Sequence, residues 1–336
     1  MTLMRGLSTT LAAIALLAMI GCNQGGKTQR GAGDKGTVNV RDIAVAMPNP
    51  EDPWRKLQLE YINMAAKEAN VTVHVVPIQG ASNALIKEAV GAASATRSTG
   101  FIIESSLEDA GQLIRDDVER FGIPTMAINT RLRDPESKRY LDMPYFGLSN
   151  RDLGAFAANG AIEEAQKRGW KASETGVVVF TGNDGGKIQA RGTAIRETVL
   201  ASGYSGTQVQ NQATGFGKFK NWIIVGGSDA PVLAAIRASE TAGIPANQVI
   251  GVSIGGLGVL DELAKPSGFY ATVLIGPKAH AYDVFKRVVS AIKNSLALDP
   301  IPTYNNGVWL TRDNLAKETK EQMLDKLPDY AKSIQP

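Results

Sequence analysis

The chain has one cysteine, Cys22, and two histidines, His74 and His280. A single cysteine excludes an internal disulfide, so the fold must be held by its core. With so few cysteines and histidines, a Cys/His metal site and a Cys–His or Ser–His nucleophile are both poorly supplied. Charge of one sign is lacking too. The 36 Lys and Arg and 33 Asp and Glu give a formal net charge of +3 and are mixed along the chain. No basic block therefore suggests nucleic acid or an anionic surface as a partner. The N-terminal apolar run, residues 11–20, is too short for a comfortable membrane span. What remains is ordinary for a globular protein: 336 residues, 43% hydrophobic and 21% charged. Once an N-terminal segment is set aside, that length is about twice the usual single domain.

The N-terminal segment has the marks of an export signal. Arg5 provides a basic start, residues 11–20 an apolar core, and Gly21 a small residue before Cys22. Ending on the sole cysteine, it resembles a bacterial lipoprotein signal, with Met19 where such signals usually carry Leu, Val or Ile. An ordinary cleaved signal beside a chance cysteine is the alternative. The resemblance implies that Cys22 is lipidated, and that acyl chains hold the protein to a membrane in the periplasm or at the cell surface. Residues 23–38 are Gly-rich, polar and aperiodic, which predicts a flexible tether.

From residue 42 on, short apolar strands alternate with amphipathic helices. Strands are predicted at 43–47, 71–76, 100–103 and 124–128, and helices at 54–68, 84–96 and 108–121. The pattern then restarts, with helices at 153–168, 189–202, 230–243, 259–264 and 279–294 and strands at 176–180, 208–212, 222–226, 248–252 and 269–275. Residues 303–310 read as extended and 313–327 as helical. Such alternation predicts right-handed βαβ units and an α/β fold of two similar parallel-sheet lobes.

The stretches Asn49-Pro-Glu-Asp-Pro-Trp54, Gln166-Lys-Arg-Gly-Trp170, Trp222-Ile-Ile-Val-Gly226 with Asp229, and Val232-Leu-Ala-Ala-Ile-Arg-Ala238 carry a resemblance. In their order and spacing the chain resembles the type I periplasmic sugar-binding proteins, most of all their arabinose-binding branch. Gly268-Phe-Tyr270, His280-Ala-Tyr282 and Leu310-Thr-Arg-Asp-Asn314 add to the resemblance, so that it runs from about residue 43 to 323. It implies two doubly wound lobes joined by three crossing segments, near 147–150, 275–277 and 304–307. One lobe would be residues 39–148 plus 276–305, the other 149–275 plus 306–330. A sugar would bind in the cleft between them, beyond the carboxyl ends of the strands. The partners implied are a small-molecule sugar and the membrane subunits of an ABC importer, with the protein a monomer and no cofactor, metal or nucleic acid involved.

The same resemblance suggests site residues. Trp54 would place its ring against the sugar, or else pack as core at a helix start. Asp52 matches an acidic ligand position and is equally suited to cap the helix after Pro53. Arg191 aligns with a sugar-binding arginine, against the alternative of a surface helix arginine. Asn183 and Asp229 lie in strand-end loops. At other positions the family pattern is broken. Pro48 replaces an expected lysine, Asn129 and Thr130 replace a carboxylate pair, Ser228 and Gly255 replace asparagines, and Gly258 replaces an aspartate. Glu104 brings a carboxylate to a strand end, either for ligand or for solvent. Changes so concentrated at the site imply a ligand other than L-arabinose bound in the usual way, or a degenerate pocket. Between residue 212 and Trp222 there is too little chain for the helix that usually covers that crossover. Phe216 and Phe219 are available to cover part of the gap.

Three other functions compete with importer delivery. Signalling through a membrane sensor would use the same fold and leaves the sequence unchanged. A transcription regulator would need a helix-turn-helix where the export signal stands. Glycoside hydrolysis could draw a carboxylate pair from Asp52, Glu104, Asp184 and Asp229, but the fold analogy disfavours an enzyme.

Overall fold

The computed structural model describes residues 39–80, 82–105, 107–182, 186–205, 209–210, 218–300, 302–305 and 307–327. Cys22, the tether, Asn183, Asp184, Phe216 and most of the short crossover before Trp222 lie outside the described residues.

The first lobe is built on β1 (Asp42–Pro48), β2 (Thr72–Ile78), β3 (Gly100–Ile103), β4 (Thr125–Ile128) and β5 (Tyr145–Leu148). Between them run α1 (Pro53–Ala69), α2 (Asn83–Ala95) and α3 (Gly111–Phe121). The second lobe follows with α4 (Asn150–Lys167), β6 (Thr175–Phe180), α5 (Lys187–Ala201), β7 (Val209–Gln210) and β8 (Asn221–Gly226). It continues with α6 (Asp229–Thr241), β9 (Val249–Gly255), α7 (Leu260–Leu263) and β10 (Phe269–Leu274). A π-helical turn (Ala279–Asp283) leads into α8 (Val284–Lys293), which packs back on the first lobe, and β11 (Thr303–Asn305) joins the first sheet. β12 (Val308–Thr311) then returns to the second sheet, followed by α9 (Leu315–Glu321). The chain therefore passes between the lobes after β5, after β10 and after β11.

Each sheet has six strands, in the orders β11-β5-β4-β3-β1-β2 and β12-β10-β9-β8-β6-β7. All described pairings are parallel except β12 against β10. The central strands are buried on both faces, as parallel strands covered by helices must be. That burial is why runs of Ile, Val and Ala fill the middles of β1, β6 and β8.

Local chemistry sets the helix ends nearest the strands' carboxyl termini. Asp52 Oδ1 accepts from the backbone N–H of Trp54 at 3.1 Å and of Arg55 at 3.3 Å, which fixes the start of α1 directly after the β1 loop. Pro53 occupies the first turn, where its missing N–H costs nothing. In the second lobe α4 presents Gly154, Ala157, Ala158 and Ala161, all buried. Gly154 is needed there: a Cβ would come within 2.2 Å of the Arg191 carbonyl oxygen. The close approach of α4 and α5 thereby fixes where Arg191 stands.

Three expectations from sequence are revised. β5 is a strand of the first sheet, where only a crossing segment is predicted. The C-terminal helix stops at Glu321 instead of continuing to 327, because Met323 adopts a left-handed φ of 58°. From there the chain turns onto α1: Tyr61 Oη donates to the Gln322 carbonyl at 2.5 Å, and Leu324 and Leu327 are buried. Finally, one edge strand of the second sheet is antiparallel, since β12 enters that sheet from the neighbouring lobe. Phe219 packs edge-on against Trp222 at 5.5 Å, so the described part of the shortened crossover does cover the sheet. No described helix is long and apolar enough to cross a membrane.

Candidate functional site

The carboxyl ends of the two sheets carry the polar side chains. In the first lobe the β1 loop leads to Trp54, Arg55 and Gln58 on α1, while Glu104 follows β3, and Asn129 and Thr130 follow β4. His280 comes from the π-helical turn.

Glu104 is only 2% exposed, which removes the solvent-facing alternative. Arg55 donates to its Oε1 from Nη2 at 2.8 Å and from Nε at 3.3 Å. Asn129 Nδ2 donates to its Oε2 at 3.0 Å and to Gln58 Oε1 at 3.2 Å. Both Nδ2 partners are acceptors, which orients the Asn129 amide and leaves Oδ1 as the acceptor for His280 Nδ1 at 3.0 Å. His280 is therefore the Nδ1–H tautomer, with a lone pair on Nε2. The ring is fully buried and lies edge-on to Phe146 at 5.0 Å and Trp54 at 6.1 Å. Burial, then repulsion from Lys187, pushes its pKa down to about 3, so it is neutral at physiological pH. Asn129 sits at a left-handed φ of 60°, a strained conformation that aims its amide into this network. His280 Nε2 and Gln58 Nε2 are buried with no partner among the described residues.

In the second lobe, Lys187 and Arg191 lie one turn apart at the start of α5. Arg191 is 7% exposed, which excludes a surface role. Its Nε donates to Asn150 Oδ1 at 2.9 Å and its Nη1 to the Gly227 carbonyl at 3.0 Å. Burial lowers its pKa to about 10. Asp229 accepts from Ser253 Oγ at 2.6 Å, from the Gly256 N–H at 2.9 Å and from Thr272 Oγ1 at 3.4 Å. Burial raises its pKa, and these hydrogen bonds oppose the rise. Gly255, at φ 142°, is required by this carboxylate, because a Cβ there would come within 2.8 Å of Asp229 Oδ2.

The sequence-derived candidates thus fall into groups. Glu104, Asn129, Arg191 and Asp229 are built into networks at the strand ends. Asp52 caps α1 and lies 4.0 Å from Arg55 Nη1. Trp54 is half-buried and touches apolar clusters of both lobes as well as the His280 ring. Thr130 is buried and Ser228 half-buried, with no capping hydrogen bond to α6. Arg55, Gln58, Lys187 and His280 are members that sequence reading missed. Arg55 and Gln58 follow Trp54 on α1, and Gln58 is a polar residue on the face of the buried Leu57 and Tyr61. His280 was visible as one of two histidines and as part of the His280-Ala-Tyr282 stretch, but not as a site residue.

Glu104 and Asp229 are both occupied by protein donors, so neither is set up as a free acid or nucleophile. A second hollow, of about 410 Å³, opens at the other end of β4, lined by Val118, Ile123, Pro124, Met143 and Leu298 among others. It is far from these networks.

Two lobes of largely parallel sheet, crossed three times and carrying polar side chains at the carboxyl ends, define the type I periplasmic-binding-protein fold. Solved structures agree. The periplasmic ribose ABC transporter protein of Conexibacter woesei matches at a TM-score of 0.64 with 13% identity, covering 86% of this chain and 97% of that one. In sequence, the chain is similar to the L-arabinose-binding periplasmic protein of Escherichia coli, 24% identical over 301 residues, or 84% of this chain and 91% of that protein. It is likewise similar to the ABC transporter L-arabinose-binding periplasmic protein of Azospirillum brasilense, 25% identical over 292 residues, 81% of this chain and 86% of that protein. These relatives are named as binding proteins and not as enzymes. No protein-family model matches.

The neutral buried imidazole makes a prediction about stability. The unfolded chain takes up a proton at His280 near pH 6.5, whereas the folded chain does not until about pH 3. Folding stability from this group is complete above pH 6.5 and falls as pH drops towards 3. Urea unfolding at pH 7, 6 and 5 should show the wild type losing about 1.4 kcal/mol per pH unit more than His280→Gln below pH 6.5. Parallel slopes for the two proteins would contradict a neutral, buried His280.

Proposed function

We propose that the protein is the extracytoplasmic solute-binding component of an ABC importer, capturing a monosaccharide between its lobes and delivering it to the membrane subunits. One observation carries this reading. Polar side chains from both sheets, Glu104, Asn129 and His280 on one side and Lys187, Arg191 and Asp229 on the other, converge at the strands' carboxyl ends. There Lys187 is near enough to perturb His280 and to feel Glu104 and Arg55. The arabinose-binding relatives support a sugar as the ligand class. A buried sugar needs each hydroxyl paired, since an unpaired buried polar group costs about 1–3 kcal/mol. Asn129, Thr130, Ser228 and Arg191, with Arg55 and Glu104, supply donors and acceptors, and Trp54 supplies an apolar face. Capture would be a hinge closure, the ligand shifting the balance by its higher affinity for the closed state. Lipidation of Cys22 would keep the receptor beside its importer, with residues 23–38 as the tether.

Calorimetric titration with a panel of pentoses and hexoses, L-arabinose included, tests the binding. A ligand at 100 times its Kd should also stabilise the fold by about 2.7 kcal/mol. Absence of binding by every sugar would contradict the reading. For the anchor, wild-type chains should incorporate labelled palmitate and sediment with membranes, and Cys22→Ser should do neither; an unlabelled, soluble wild type would remove the anchor from the account.

A further inference from the structure

The three passages between the lobes differ in how much freedom the backbone keeps. After β5 only Ser149 separates Leu148 from Asn150. Its φ is −85° and its Oγ accepts from the Asp152 N–H at 3.4 Å, so it is held as the cap of α4. After β10 the Ile275 N–H donates to the Gly255 carbonyl at 3.2 Å, which ties the start of that passage to the second lobe. Pro277, two residues on, has its φ fixed by its own ring. The passage after β11 is different. β11 ends at Asn305 and β12 begins at Val308, so two residues carry the chain from one sheet to the other. The described one is Gly307, and of the described residues in the three passages it alone has a positive φ, 74°.

Gly307 is also where the three passages meet. A Cβ built on it would come within 2.5 Å of Val273 Cγ1 and 3.1 Å of the Leu274 carbonyl oxygen, both at the end of β10, where the second passage begins. It would also lie 3.2 Å from Leu153 Cδ2, on the first turn of α4, directly beyond the first passage. All three neighbours are buried, and a β-branched valine cannot swing aside without leaving its rotamer. The junction thus combines a φ that glycine reaches without steric cost with neighbours that have little room to yield. In this arrangement the lobes touch: Trp54, from α1 of the first lobe, packs against the apolar cluster of the second.

We infer, resting on the capture proposed above, that Gly307 is the pivot of lobe closure, a positioning residue whose missing side chain lets the three crossing segments come together at one point. A two-residue link has to absorb the rotation when the lobes part, and hinges bend at such element-terminal positions. A methyl group at 307 wedges β10 and α4 away from the link. It therefore opposes the arrangement in which Trp54 bridges the lobes, and shifts the balance towards a more open one.

The test is pulsed electron–electron double resonance on the full chain carrying Cys22→Ser, which removes the sole cysteine, with spin labels at Gln79→Cys and Ala230→Cys. Both positions are exposed, one directly after β2 in the first lobe and the other at the start of α6 in the second. Without sugar, Gly307→Ala should move the distance distribution to longer separations than wild type. Adding Val273→Ala, which removes the nearest obstruction, should reverse most of that shift. Should Gly307→Ala alone not fold, the double variant is compared with Val273→Ala. There the Leu274 carbonyl oxygen still opposes the new Cβ, and the same direction of shift is expected. In calorimetric titration with L-arabinose and D-galactose, Gly307→Ala should bind at least fivefold more weakly than wild type. An unchanged or shorter separation, a shift that Val273→Ala leaves undiminished, or equal sugar affinity in the two proteins would overturn the pivot. If neither sugar bound the wild type, the sugar reading would lose its support while the distances would still decide the pivot.

Discussion

The side-chain amide of Asn129 is the interaction on which the first lobe's half of the cleft depends. It links α1 through Gln58, the end of β3 through Glu104, the end of β4 through its own backbone, and the π-helical turn through His280. Three of these elements are neighbours in the sheet and its first helix; the fourth returns from the second lobe 151 residues later. An amide can do this because it donates twice and accepts twice, and here both kinds of contact are used. The cost of burying the Glu104 carboxyl group is offset by its hydrogen bonds from Arg55 and Asn129. The network also fixes the tautomer of His280, while burial keeps its ring neutral.

The second lobe solves the same problem differently. Asp229 ties the β8 end to the β9 loop by accepting from Ser253 and Gly256, and glycine at 255 is the only residue that leaves room for it. Arg191 ties the start of α4 to the β8 end through Asn150 and Gly227. Asn150 stands directly beyond the first crossing segment, so the arginine braces the hinge side of its lobe. One lobe thus offers a network around a carboxylate in which Gln58 Nε2 and His280 Nε2 are buried without a partner among the described residues, the other a buried arginine one turn from an exposed lysine. Under the proposed hinge closure, that asymmetry would orient a polar ligand.

Much of the architecture could be read from residue order, because unbroken apolar runs such as Gly100–Ile103 exist only where a strand is covered on both faces. β5 escaped because Tyr145–Leu148 is short, contains a glycine and alternates in burial. The overlong C-terminal helix was read from propensity, which a left-handed Met323 and the burial of Leu324 and Leu327 override. At the site, Glu104, Asn129 and Asp229 stood out because polar residues after apolar strands mark the carboxyl edge, and Arg191 only because it aligns with a sugar-binding arginine of the family that the chain resembles. His280, Gln58 and Lys187 did not: each sits on a helix, where only the tertiary fold shows which turn faces the cleft.

The central claim is that a polar ligand is held at the carboxyl ends of the strands, between the lobes. Hydrogen–deuterium exchange with and without a bound sugar tests it directly. The account predicts slowed exchange at residues 49–58, 104, 129–130, 187–191, 227–229 and 255–258, in both lobes at once. Protection confined to one lobe, or centred on the hollow around Val118, Pro124 and Leu298 at the opposite end of β4, would contradict it.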